Sequence, residues 1–254
     1  ISPQVPSVFH LTVTPPLEAT EDVVLRAKNE RTGSEVKATL HPVPLASIRR
    51  ISGLKADWEF ESDPLVISHT QKVQGKADND ADNSGEIRLG YDDHFLYVDV
   101  LVRDDVVVSN IAPNDIRGHW RTDAIEICVD PTAASEHTLT CFKAGIFPFD
   151  SSGVTRAARD ADANQGPIEE TAPGMVVKAV PLDQGYRVQS TIPWSAIGIA
   201  EPKMGMTLGF NVLLYDGDRA EAAAGENINE SRLAWSPRRS VQGRPGDWGR
   251  IRLD

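Results

Sequence analysis

Hydrophobic and polar positions alternate along this chain with a period of two, the pattern of strands that bury one face. Leu96, Val98, Val100 and Val102 interleave with Phe95, Tyr97, Asp99 and Leu101. Tyr186, Val188, Ser190 and Ile192 interleave with Arg187, Gln189 and Thr191, and Leu208, Phe210, Val212 and Leu214 obey the same rule. In the run 120–130, Ile125, Ile127 and Val129 share one side, so Glu126, Cys128 and Asp130 are expected to point away from the core. Helical periodicity is scarce. A single helical turn is expected at 195–198, after Pro193-Trp194, and the polar, Ala- and Asp-rich stretch 151–173 reads as a long loop. With Gly and Pro turns between the runs, the pattern predicts an all-β fold, a jelly-roll-type antiparallel β-sandwich, over residues 48–254. Residues 1–47 read as three further strands at 7–14, 22–28 and 34–41. Three strands make an incomplete sandwich: either the remnant of an immunoglobulin-like domain or strands added to the main sheet.

The composition, 40% hydrophobic and 25% charged over 254 residues, is that of a folded globular protein. No apolar run approaches the roughly 18 to 20 residues of a transmembrane helix, so no membrane span is expected. The start, Ile1-Ser2-Pro3-Gln4, is neither a signal peptide nor an initiator methionine and suits a processed or excised segment. A net charge of −11 opposes nucleic acid and anionic membranes as partners. Arg232, Arg238, Arg239, Arg244 and Arg250 form one basic stretch. Interrupted by Pro237 and Pro245, it reads as a surface loop with room for a small anionic group rather than as a nucleic-acid groove.

Two cysteines are too few for a disulfide scaffold and lack metal-site spacing. If 125–130 and 138–143 pair as a hairpin around 131–136, Cys128 faces Cys141 and Glu126 faces Lys143. That register sets the thiols side by side on the outward face, where an exported protein favours a disulfide.

Several short signatures follow one another: Ile51-Ser52-Gly53-Leu54-Lys55-Ala56-Asp57-Trp58, Gly90-Tyr91-Asp92-Asp93-His94-Phe95-Leu96-Tyr97-Val98, and Trp120-Arg121-Thr122-Asp123-Ala124-Ile125-Glu126-Ile127. Ile192-Pro193-Trp194-Ser195-Ala196-Ile197-Gly198, Leu208-Gly209-Phe210-Asn211-Val212, Ala234-Trp235-Ser236 and Trp248-Gly249-Arg250-Ile251-Arg252-Leu253 complete the series. In this order, over residues 48–254, they resemble carbohydrate-binding module family 9 and the wider DOMON-like sandwiches. The resemblance implies a non-catalytic module of a larger extracellular polysaccharide-degrading or surface protein, secreted or periplasmic, with structural calcium and a slot for the end of a sugar chain. In that family the sugar lies between two tryptophan rings while a Glu and an Arg hydrogen-bond its hydroxyls. By this resemblance Trp120 is the first ring, Glu126 the glutamate, and Lys143 stands at the arginine's place. The second ring's place reads Pro237-Arg238-Arg239-Ser240-Val241-Gln242, with no aromatic residue, and an expected asparagine is replaced by Gly145.

The physical requirement agrees. A pyranose has apolar C–H faces and a girdle of hydroxyls, so its site needs a flat aromatic surface and paired polar groups. Trp120 and the Glu126/Lys143 pair supply one of each, His119 is a neighbouring candidate contact, and Trp235 is the candidate for a second ring. The competing reading is a structural sandwich in which Glu126 and Lys143 form an ordinary cross-strand ion pair.

For calcium, Asp80-Ala81-Asp82-Asn83-Ser84-Gly85 has oxygen ligands at alternate positions before a glycine, half of a calcium loop. Asp78, Asp80, Asp82, Ser84 and Asp92 are the candidate ligands, with Asp104 available and Asp216-Gly217-Asp218 a second candidate. The alternative is a polar turn. No nucleophile elbow, His-Glu-x-x-His or phosphate loop occurs, so no enzyme is expected. Related sandwiches bind haem through Met with His or Lys. Met175, Met204 and Met206 are the only methionines here, and a haem-attachment motif is lacking.

Overall fold

The apolar row of each alternating run finds a common interior. In the computed structural model, which describes residues 22–29, 31–51, 58–115, 117–238 and 240–254, these runs are strands. The chain divides between Val43 and Pro44 into two units. In the first, β1 (Val23–Lys28) and β2 (Glu35–Leu40) pair as an antiparallel hairpin. Its turn is held by the Asn29 carboxamide, which accepts from the amides of Arg31 and Thr32, and by Gly33 at φ 72°. The strand expected at 7–14 lies outside the described residues.

The second unit carries β3 (Leu45–Arg50), β4 (Leu65–Ile67), β5 (Lys72–Gly75), β6 (Asn83–Tyr91), β7 (Phe95–Asp104), β8 (Ala124–Asp130) and β9 (Phe142–Phe147). β10 (Arg156–Arg159), β11 (Gly166–Pro167), β12 (Val176–Leu182), β13 (Gly185–Pro193), β14 (Thr207–Asp216), β15 (Ser231–Ala234) and β16 (Gly249–Leu253) follow. One layer runs β4-β6-β7-β13-β12 and the other β11-β10-β9-β8-β14. Beyond β14 the second layer forks: Thr207–Phe210 pairs with β16, and Leu213–Asp216 pairs with β15, which continues to β5. β3 joins the layers by pairing in parallel with β16 on one side and β6 on the other, and the remaining pairings are antiparallel. The fold is an all-β sandwich, as the periodicity predicts.

The expected inward rows meet between the layers. Leu96, Val98, Val100 and Val102 pack in one core with Ile125, Ile127, Val129, Phe210, Val212 and Leu214. The helical turn near Pro193 is α2 (Trp194–Ile197), ended by Gly198 at φ 87°. The stretch 151–173 is not one long loop, for it contains β10, β11 and the short helix α1 (Ile168–Thr171). Ala and Arg give β10 no strand signature. Its place is set by pairing with β9 and by Arg159, whose buried guanidinium bonds Asp162 at 2.6 Å and lies over the Phe142 ring at 4.8 Å. Among the described residues no helix is long and apolar enough to cross a membrane.

One departure shapes the site. The face of β8 opposite the main core is also covered: Ala124, Cys128, Cys141, Leu213, Tyr215, Ala234, Val241 and Trp248 form a second, smaller core beneath the segment that leads into β16. Glu126 leaves the main core as the alternation requires, yet it does not reach water.

Candidate functional site

Trp120 is presented by a turn. Gly118 adopts φ 83°, a left-handed conformation, and starts a 3-10 turn over His119–Arg121. Arg121 clamps this turn, donating to the Gly118 and Gly225 carbonyls at 3.2 and 2.9 Å and to Asp115 at 2.6 Å. Trp120 is left 40% exposed at the tip while His119 turns inward. The imidazole Nε2 lies 3.1 Å from Glu126 Oε2, and the ring stands edge-on to Trp120 and Tyr215. Gly145 makes room for it, since a Cβ there would sit 2.1 Å from His119 Nδ1. Thus His119 occupies the space that a side chain at position 145 would need.

Glu126 is 1% exposed and Lys143 3%. Lys143 Nζ meets Glu126 Oε1 at 2.5 Å, the Tyr215 hydroxyl donates to Oε2 at 2.5 Å, and the Cys128 thiol approaches Oε1 at 3.6 Å. Burial alone would raise the Glu126 pKa. The Lys143 ammonium and the His119 bond outweigh it and hold this carboxyl well below the usual carboxylate range, while Glu126 in turn raises Lys143. The site is therefore a fixed, ionised pair.

The expected pairing of Glu126 with Lys143 forms, but in a register displaced by two residues: Glu126 faces Gly145 and Cys128 faces Lys143. The cause is Asp130, whose carboxylate accepts from the amides and hydroxyls of Thr132 and Ser135 and winds up a loop longer than a tight hairpin needs. Lys143 reaches Glu126 diagonally on the shared face. Cys141 falls before β9 rather than opposite Cys128, and both thiols are free and buried, not bonded on an outward face.

Trp235 is not a second wall. At 7% exposure it packs in the main core beside Phe210 and against Gly249, where a Cβ would lie 2.3 Å from its ring. The segment 240–248 instead brings Gln242 over the polar pair. Its amide nitrogen donates to the Tyr215 hydroxyl at 2.6 Å, its amide oxygen accepts from Arg232 at 2.5 Å, and its main-chain oxygen accepts from Lys143 at 3.0 Å. Arg232 also lies 4.7 Å over the Tyr215 ring. Tyr215 and Gln242 are not among the sequence candidates, and Arg232 is named only within the basic stretch, not with the sugar site. One signal exists for Tyr215: it alternates with the inward row Leu208–Leu214, so on pairing of β8 with β14 it must share the face of Glu126. Of the basic stretch, Arg250 is half-buried and bonds the Trp248 and Gly249 carbonyls, and Arg239 lies outside the described residues.

The expected metal ligands are dispersed. Asp78 pairs with Lys76, Asp80 accepts from the His69 amide and imidazole, and Ser84 donates to the Asp80 carbonyl. Asp92 caps its own turn, accepting from His94 and Phe95 amides and the Tyr97 hydroxyl. Of Asp78, Asp80, Asp82, Ser84 and Asp92, only Asp82 joins a constellation among the described residues: it groups with Asp105 and Asp218, and Asp218 groups with Asp104 and Asp216, the other candidates. These lie at the ends of β7 and β14, the second candidate region. Burial and mutual repulsion push Asp104 up to about 7 and Asp216 up to about 8, and Asp123 also rises. Asn83 Oδ1 and Asp216 Oδ1 are buried with no hydrogen-bond partner. Clustered carboxylates and orphan oxygens suit a hard divalent cation such as calcium. Met175 is packed in the core and Met204 is exposed at its turn. A shallow cleft of about 430 Å³ between Asp93, His94 and the Trp194–Gly198 turn shares no residue with either set.

Comparison with protein families matches residues 53–254 to "Carbohydrate family 9 binding domain-like". The chain belongs to this family. Its fold is similar to that of a family 9 carbohydrate-binding module from Caldicellulosiruptor kristjanssonii, solved with cellotriose (TM-score 0.57, 16% identity, covering 83% of this chain and 93% of that one) and with glucose (TM-score 0.55, 16% identity, 83% and 95%). It is also similar to a protein from Bacteroides uniformis that is proposed to bind carbohydrate (TM-score 0.52, 12% identity, 84% and 100%). A search of curated proteins finds no match.

Proposed function

We propose that this family 9 chain is a non-catalytic carbohydrate-binding module, exported as part of a larger glycan-active or surface protein, which holds poly- or oligosaccharide on the Trp120 ring. The carrying observation is that Trp120 stands exposed on a clamped turn directly beside a fixed row of polar groups, His119, Glu126, Tyr215 and Lys143. A flat ring offers stacking to the C–H face of a pyranose, and base-stacking by alanine substitution gives the scale, about 1–3 kcal/mol per ring. Isothermal titration with glucose and cellotriose tests it: Trp120→Ala is expected to weaken binding about tenfold or more, and equal binding by both proteins refutes the role of the ring.

Calcium is part of the proposal, with Asp104, Asp216 and Asp218 as its holders and Asp82 and Asp105 beside them. Bound there, it would neutralise the like charges at the ends of β7 and β14. Saturating calcium at about 100 times its dissociation constant adds about 2.7 kcal/mol, or about 5–10 °C of melting temperature for a chain of this size. EDTA is expected to reverse the gain, and a Tm indifferent to calcium and EDTA removes the ion. A second reading, a structural sandwich with no sugar site, is favoured by the burial of Glu126 and Lys143. It predicts no heat with either sugar.

A further inference from the structure

The polar row beside Trp120 is closed. Glu126, Lys143 and Tyr215 are all buried, so no hydroxyl of a sugar resting on Trp120 touches them while Gln242 stays in place. Gln242 makes that closure chemical as well as steric. One residue bonds three members of the row's rim: Tyr215 through its amide nitrogen, Arg232 through its amide oxygen and Lys143 through its main-chain oxygen. A primary amide offers a donor and an acceptor side by side, the pair that two neighbouring sugar hydroxyls also offer.

We propose that the Gln242 side chain is a displaceable stand-in for sugar hydroxyls: ligand binding swings it out, and the sugar takes over its bonds to Tyr215 and Arg232. The inference rests on the sugar-binding reading. The segment is built for such a movement. Val241 anchors it, fully buried and accepting from the Trp248 indole at 2.5 Å. Past that anchor Gly243 and Gly246 have open space where a Cβ would stand, so nothing packs against the chain at those two points. Gln242 itself is only half-buried, with a route outwards. The stand-in also makes the site selective. A ligand gains the row only if it replaces a donor and an acceptor together, because a ligand lacking either leaves the Tyr215 oxygen without its donor or Arg232 without the Gln242 acceptor.

Closure lowers apparent affinity by the fraction of molecules already open. Gln242→Ala removes the competing amide but keeps the main-chain oxygen for Lys143. It is expected to bind cellotriose about tenfold more tightly than the parent chain, with an unchanged near-ultraviolet circular dichroism spectrum showing that it folds. In the parent chain, the Gln242 side-chain NH₂ signals, assigned by their loss in the variant, are expected to move to the position of a solvent-exposed glutamine as cellotriose is added. Equal or weaker binding by Gln242→Ala overturns the proposal. So does a Trp120 indole signal that responds to cellotriose while the Gln242 signals stay fixed, a result that leaves the sugar-binding reading intact. Absence of any response to glucose or cellotriose in either protein refutes the sugar-binding reading, and the stand-in falls with it.

Discussion

Glu126 keeps its charge out of water because every direction from its carboxylate is occupied: Lys143 at one oxygen, His119 and Tyr215 at the other, and a thiol below. Such a pair adds little net stability when whole, yet removing one partner strands the other, at a cost of about 3–5 kcal/mol. Lys143→Ala is expected to lose that amount in urea unfolding; a loss under about 1 kcal/mol shows instead that water reaches Glu126. The sign of the pH dependence follows from the depressed carboxyl pKa. The unfolded chain takes up a proton on Glu126 near pH 4.3, and the folded chain does so only at lower pH. The pair's contribution is therefore fully present above about pH 4.3 and drains away as pH falls towards the folded value. Unfolding curves of the parent chain and Glu126→Gln at pH 6, 4 and 3 are expected to converge with acid, and a gap that widens contradicts the assignment.

β8 and β9 carry the site because they are buried on both faces, and this sandwiching also governs the thiols. Burial lifts Cys128 well above its ordinary value and Cys141 up to about 11, so neither is a thiolate at pH 8. A thiol reagent at pH 8 is expected to find neither in the folded protein and both after denaturation; rapid labelling of Cys128 in the folded chain contradicts the second core. The period-two rows announced this element scale well, since Leu96–Val102, Ile125–Val129 and Leu208–Leu214 are apolar on the inner side wherever they pair. Trp120 stands out in the sequence as an aromatic before a strand with a polar outward row, and the structure leaves its ring 40% exposed. Glu126 with Lys143 was legible despite the wrong register, because a lysine spans a two-residue diagonal on one face. What failed did so for long-range reasons. Nothing local joins Tyr215 or Gln242 to Glu126, and the burial of Trp235 depends on Gly249 in another strand; Asp82, Asp104, Asp216 and Asp218 were each legible as candidates, but their grouping is made by the ends of β7 and β14 and the turn before β6. β10 is a strand by its neighbour's choice, not by its own Ala and Arg residues.

At the scale of the molecule, the sandwich is closed by a strand that precedes the family match. The match begins at residue 53, but β3 at Leu45–Arg50 lies between β16 and β6 and bonds to both. Its Ile48 is in the main core, and the Asp254 amide donates to the Ile48 carbonyl at 2.9 Å, tying the end of the chain to it. Without β3, β16 and β6 each present an open edge, the condition that invites aggregation, and the core loses an isoleucine whose truncation to Ala alone costs about 2–5 kcal/mol. That is a large share of the 5–15 kcal/mol by which a domain is stable. Two shortened chains make the comparison. One starting at Pro44 retains β3 and is expected to unfold in a single cooperative transition, whereas one starting at Gly53 is expected to lose about 10 °C or more of melting temperature or to aggregate. Equal melting temperatures for the two would show that β3 is an ornament, and that the family core closes its two layers by β16 and β6 alone.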